Sequence, residues 1–128
     1  MKLIIDTHAL IWYVHQVNLL SQTALAAITS SQNELIISAA TTWEISIKTG
    51  LGKLTLSQPY LPWIRKAHND LSAIRLPIDE VYADMQSRLP FHHRDPFDRM
   101  LVSQALVEAI PIVSNDTQLD AYRITCIW

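Results

Sequence analysis

Residues 2–13, KLIIDTHALIWY, decide the fold. KLII is a short β-prone run, HALIWYV reads as a first helix, and Asp6 is the hinge between them. A strand that hands over to a helix in this way opens an alternating α/β chain, and the rest of the sequence keeps the alternation. Ser21 can cap a second helix, SQTALAAITSS, with Leu25 and Ile28 as its apolar edge, and a strand follows at Glu34–Ser38. Thr41-x-x-Glu44 has the form of a capping box opening a third helix, which carries Ile45 and Ile47 and stops at Gly50 before a GLGKL turn. Tyr60, Ile64, Ala67 and Leu71 repeat at helical spacing, as do Ile78, Tyr82, Met85 and Leu89, so two amphipathic helices flank an AIRL strand. Asp95-Pro96 is an N-cap with proline at the first helical position, launching Phe97–Ala109. Strand IPIVS, a helix near Asp116–Tyr122 and a terminal strand RITCIW complete the pattern. It predicts a parallel sheet of about five strands, with right-handed crossovers and helices on both faces.

Composition bounds the rest. A chain of 128 residues, 49% hydrophobic, is expected to form one domain over residues 1–128. Only 2 Gly and 17% charged residues, with no repeat or low-complexity run, argue against disorder and against a solenoid. A net charge of −2 means that any polyanion must be held by a local basic rim or by a metal. The lone cysteine, Cys126, reads as a structural strand thiol and fits a reducing cytoplasm. The start MKLIID meets an acid too soon for a signal peptide, and no apolar run approaches the ~20 residues of a membrane span.

Within this frame four acids fall where strands hand over to helices: Asp6, Glu44, Asp98 and Asp116. Ligands of open α/β sheets collect beyond the carboxyl ends of strands, where strand order reverses. Four carboxylates drawn to one such edge would repel unless a hard cation such as Mg²⁺ neutralised them, which suggests phosphate chemistry. Each acid also has a local explanation. Asp6 and Asp116 can be N-caps, while Glu44 behind Thr41 and Asp98 behind Asp95 occupy the third helical position of capping boxes. Caps, however, have no reason to gather on one edge, and Asp95 suffices as a cap without Asp98. His8, His15, His68, His92 and His93 show no zinc spacing and read as solvated or hydrogen-bonded surface groups. There is no phosphate loop of the GxxxxGK[ST] kind and no GxSxG elbow. Trp12 and Tyr13 are adjacent on one helix and cannot both point inward, so one of them is a candidate for an interface.

The stretches DTHALIWY at 6–13, SAATTWEISIKTGLGKL at 38–54, LP at 76–77, HRDPFDRMLVSQA at 93–105 and IVSND at 112–116 resemble PIN-domain ribonucleases, specifically VapC-type toxins of bacterial toxin–antitoxin pairs. They cover most of the chain in the family's order and spacing. The resemblance implies a sheet ordered 3-2-1-4-5, an acidic Mg²⁺ or Mn²⁺ pocket formed by Asp6, Glu44, Asp98 and Asp116, and metal-dependent cleavage of RNA. It further implies a small antitoxin protein that enters or covers the pocket, and commonly a toxin homodimer. Asp95 matches a neighbouring position of the motif, and Asn115 stands where many relatives carry Thr, Arg or Ala, a difference of side contacts.

Lys48, Lys53, Arg94 and Arg99 are candidates for the basic rim, with Asn115 as a further substrate contact. Trp12, Tyr13 and Trp63 are candidates for the partner surface. A haloacid-dehalogenase-type phosphatase would need a second Asp where this chain has His8, and a receiver-like phosphorylation module would need an acid pair at the first strand end. The alternative that persists is an interaction scaffold of the same fold without catalysis.

Overall fold

The computed structural model describes all residues, Met1–Trp128. The elements are β1 (Lys2–Ile5), α1 (Thr7–His15), α2 (Gln22–Thr29), β2 (Glu34–Ser38), α3 (Ala39–Gly50), α4 (Tyr60–Leu71), β3 (Ile74–Leu76), α5 (Glu80–Arg88), α6 (Pro96–Glu108), β4 (Ile112–Val113) and β5 (Cys126–Ile127). Short 3₁₀ turns occupy Val17–Leu19 and Thr117–Tyr122. The five strands form one parallel sheet in the order β3-β2-β1-β4-β5. The expected architecture and strand order are therefore those observed.

The inner strands β1, β2 and β4 are near-continuous apolar runs because both faces of the sheet are covered there, whereas the edge strand β3 carries Arg75. Alternate side chains of each strand enter opposite layers. Leu3 and Ile5 of β1, Leu35 and Ile37 of β2 and Val113 of β4 pack with Ala9 and Leu10 of α1, Ala24 and Ile28 of α2 and Trp63 and Ile64 of α4. Ile4, Ile36 and Ile112 point the other way, onto Leu101 and Ala105 of α6. In register, Ile74, Ile36, Ile4 and Ile112 form one rung across the sheet. Burying each such side chain is worth about 1.5–3 kcal/mol before chain entropy is charged against it. The chain builds outward from β1 to β3 on one side and then crosses to β4 and β5 on the other. The order of strands thus reverses between β1 and β4, and their carboxyl ends lie side by side.

Several boundaries differ from the sequence reading, each for a local reason. Helix α3 starts at Ala39, capped by the Ser38 hydroxyl, which accepts from the Ala40 N–H at 3.0 Å. Thr41 is therefore already inside the helix, Glu44 falls in its second turn, and the capping box does not form. Gly50 is the last residue of α3, and the left-handed turn after it falls to Gly52, at φ +72°. Helix α5 starts at Glu80 behind an Asp79 cap, leaving Ile78 outside it and exposed. The last helix is a 3₁₀ turn. Trp63 is 1% exposed, in the core of the α1–α4 layer, and its indole N–H donates to His15 Nε2 at 2.9 Å. That burial removes it from the partner surface. Cys126 is half-buried, and burial, with Asp120 nearby, pushes its thiol up to about 11, in keeping with an inert strand thiol.

Candidate active site

The crevice is built from four separate segments. Asp6 follows β1 and is 5% exposed. One of its carboxylate oxygens, Oδ1, accepts from the Ala9 N–H at 2.7 Å, so it does cap α1 as the local reading expected. Asp116 follows β4, and its Oδ1 likewise caps the 3₁₀ turn by accepting from the Gln118 N–H at 2.9 Å. Its second oxygen, Oδ2, is turned toward His93. A cap occupies one carboxylate oxygen and leaves the other available, so capping and a role in the crevice coexist.

Glu44 reaches the crevice from the second turn of α3 and is 3% exposed. Its Oε1 accepts from the Thr7 hydroxyl at 2.6 Å, and the same hydroxyl lies 3.1 Å from that of Thr41. Its Oε2 takes a proton of the Lys48 ammonium at 2.6 Å, one helical turn away. A buried carboxylate needs such partners, since an unpaired one would cost several kcal/mol. Lys48 is thus committed to Glu44: burial disfavours its charge, but the hydrogen bond and charge of Glu44, with Asp95 and Asp98 beyond, outweigh that and raise its pKa.

Asp98 sits in the first turn of α6. Asp95 accepts from the N–H groups of Phe97 and Asp98, at 2.8 and 3.1 Å, and so caps the helix unaided. The Asp98 side chain is free to face the crevice. Burial, then the charge of Asp95, then those of Glu44 and Asp6 push its carboxyl up to about 7, against a lowering by His93. Burial raises Asp6 as well, opposed by hydrogen bonds from Ser114 and Ala9, with Asp116 adding repulsion. Each of the four acids is therefore in the field of another: Asp6 with Asp98 and Asp116, and Glu44 with Asp98.

His93, read from sequence as a surface group, lies in this cluster. Its Nε2 is 2.9 Å from Asp116 Oδ2 and 3.2 Å from Asp98 Oδ2, and these three ligand-type atoms lie within 4.8 Å of one another. Nothing in the spacing of HHRD marks it, because its acidic partners come from the following helix and from the far side of β4. The Thr7–Glu44 link was equally invisible, joining residues 37 apart in sequence.

Arg99 corrects the basic-rim reading. It is 2% exposed and donates to the carbonyls of Gln86, Leu89 and Pro90 at 2.9 to 3.2 Å, with its face against the Phe91 ring at 4.1 Å. Its two terminal nitrogens staple the loop before α6 to that helix and are spent inside the protein. Lys53, Arg94 and Asn115 are exposed, and no side-chain contact ties them down. Between α1 and the turn after α3 runs a cleft of about 580 Å³, lined by Thr7, His8, Trp12, Lys48 and Lys53 among others. It shares Thr7 and Lys48 with the Glu44 wall. Trp12 and Tyr13 are half-buried, Trp12 edge-on to Trp128 at 5.8 Å between centroids.

The donor set is all carboxylate oxygen with one imidazole alongside, and burial, together with the charges of Asp95, Glu44 and Asp6, disfavours the ionised Asp98. Both features suit a hard divalent cation. No curated protein matches the sequence. Among solved structures, the chain is similar to VapBC-1 from nontypeable Haemophilus influenzae, at 16% identity and TM-score 0.68, covering 98% of this chain and 96% of that one. It is similar to FitAcB from Neisseria gonorrhoeae, at 14% identity and TM-score 0.62, covering 97% and 95%. A third, VapBC2 from Rickettsia felis bound to a DNA fragment from its promoter, aligns at 18% identity and TM-score 0.59 over 98% and 97%. At these identities the likeness is one of fold. The sequence profile of the PIN domain matches residues 3–124, nearly the whole chain, and the protein belongs to the PIN domain family.

Proposed function

We propose that this protein is a metal-dependent endoribonuclease that acts as the toxin of a cytoplasmic toxin–antitoxin pair. Asp6, Glu44, Asp98 and Asp116 would hold Mg²⁺, or Mn²⁺ in its place. The observation that carries the reading is the gathering of carboxylates from four segments at one crevice, where ligand atoms of Asp98, Asp116 and His93 lie within 4.8 Å of one another and Glu44 and Asp6 add to the field at Asp98. When bound, the cation would activate water and neutralise charge developing on the scissile phosphate. The protein's part is to preset the carboxylates: Thr7 and Lys48 orient Glu44, the α1 N-terminus fixes Asp6, and the Asp95 cap leaves Asp98 free. Lys53, on the cleft beside Glu44, and the exposed Arg94 and Asn115 would steer RNA phosphates toward the acids. A single strand is favoured as substrate, because the carboxylates are recessed and a duplex is too wide to bring its backbone to them.

Similarity of fold to a member of the VapBC family of toxin-antitoxin systems supports an antitoxin as partner, with Trp12 on the cleft and the half-buried Tyr13 next to it in sequence as its candidate anchors. A homodimer is part of the same proposal. The test is cleavage of labelled single-stranded RNA by purified protein in Mg²⁺, in Mn²⁺ and in EDTA, beside Asp6→Asn and Asp98→Asn. Cleavage in metal alone, lost in both variants, is expected. No cleavage by well-folded wild type with either metal would favour the scaffold alternative, and equal cleavage by the variants would move the chemistry elsewhere.

A further inference from the structure

We infer that the His93 imidazole is an internal competitor for the acidic site, its Nε2–H holding the oxygens of Asp98 and Asp116 that a divalent cation would take. The inference rests on the metal-dependent reading above and adds to it a control on cation access. His93 then restrains loading of the site and is not one of its ligands.

The tautomer carries the argument. The Asp95 N–H points at His93 Nδ1 from 3.1 Å, and an amide N–H can only donate, so Nδ1 offers its lone pair. The single proton of a neutral imidazole therefore sits on Nε2, the atom 2.9 Å from Asp116 Oδ2 and 3.2 Å from Asp98 Oδ2. A nitrogen that carries a proton has no lone pair for a metal. Moving that proton to Nδ1 would free Nε2, but it would set two N–H groups against each other across the 3.1 Å contact. Nor can the main chain retreat to relieve it. The His93 N–H donates to the Tyr122 hydroxyl at 2.8 Å, that hydroxyl donates to the Pro90 carbonyl at 2.9 Å, and Arg99 grips the carbonyls of Leu89 and Pro90. With the backbone pinned, a cation can reach both oxygens only by displacing the His93 side chain. A cation taking both oxygens must break the Nε2–H hydrogen bond to Asp116 and displace the imidazole from its 3.2 Å contact with Asp98. Bonds of that kind change an equilibrium by about ten- to a hundredfold.

The test is titration calorimetry of Mn²⁺ into the metal-stripped full chain for wild type, His93→Ala, His93→Gln and Asp98→Asn. The Ala variant is expected to bind Mn²⁺ about tenfold or more tightly than wild type. The Gln variant, whose amide N–H can span the same oxygens, is expected to stay within a few-fold of wild type. Weaker binding by His93→Ala would make His93 a ligand and overturn the inference, as would equal affinity in wild type and His93→Ala. Failure of the wild type to take up Mn²⁺ would overturn the acid site itself, a separate result that defeats both readings. Should the Ala variant not fold, ¹⁵N shifts of the wild-type imidazole give the answer without a variant. Nε2 is expected to keep its proton on Mg²⁺ addition while its hydrogen-bonded shift is lost, and an Nε2 that loses the proton to become a ligand would refute the inference.

Discussion

Replacing Asp98 by Asn should make the protein more stable at pH 8 in EDTA, and the size of the gain can be worked from the crevice. Burial and the charges of Asp95, Glu44 and Asp6 lift the Asp98 carboxyl from the ordinary 3.8 to about 7. Because the folded state holds this proton more tightly than the unfolded chain, the group's contribution is complete below pH 3.8. It is lost as pH rises through about 7. At pH 8 the full displacement corresponds to about 4 kcal/mol of folded-state penalty. The side chain is 24% exposed, and solvent screening cuts this to about 2 kcal/mol. Asparagine has nearly the shape of the protonated acid and can still accept from His93, so it escapes the penalty at little other cost. The expected result is a melting temperature roughly 5–10 °C above wild type at pH 8, shrinking to no difference near pH 4. Millimolar Mg²⁺ should close the gap from the other side, raising wild type and not the variant. Circular dichroism melts over pH 4–8, with and without Mg²⁺, provide the assay. An Asp98→Asn protein that is less stable than wild type at pH 8 in EDTA would refute the reasoning, for it would mean that the carboxylate is well compensated where it stands.

Two further substitutions address residues whose surroundings only the fold defines. Arg99→Lys retains the charge but replaces the planar fork, so the carbonyls of Gln86, Leu89 and Pro90 lose their guanidinium donors, Gln86 and Pro90 keeping only the Leu89 N–H and the Tyr122 hydroxyl, and urea melts should show a loss of about 2–4 kcal/mol. Unchanged stability with weakened RNA binding would return Arg99 to the substrate rim. Ala109 ends α6 in the left-handed region at φ 56°, so Ala109→Gly should stabilise by about 1 kcal/mol, and a lower melting temperature would show that the turn carries no strain.

Much of the architecture is local and was therefore legible. Apolar strands of four or five residues, N-caps at Asp6, Ser21 and Asp95, and helical spacing at Tyr60–Leu71 depend on neighbours within one or two turns. Alternation of these elements dictates parallel strands, since a strand that leads into a helix and on to a second strand must cross over. Strand order was carried by the resemblance, because apolar runs such as LII and IIS do not specify which neighbour each will take. Asp6 and Asp116 were placed by their positions at strand ends. Glu44 was singled out in the same way, and the capping box offered as its local explanation does not form.

Side-chain partners drawn from distant segments had no local trace, and these only the tertiary structure decided. Trp63 shares its stripe with Ile64, and it took the closure of α4 on the sheet to bury the indole beside His15. Arg99 looks in sequence like any cation in a DPFDR run, yet the 86–90 backbone supplies the carbonyls that turn it inward. His93 acquires meaning only where α6 brings Asp98, and β4 brings Asp116, within hydrogen-bond reach of one imidazole. Sequence by itself determined the elements and their alternation, because periodicity and capping act over a few residues. The electrostatics of the crevice belong to the tertiary structure, because charge and burial act through space among groups that the chain holds far apart.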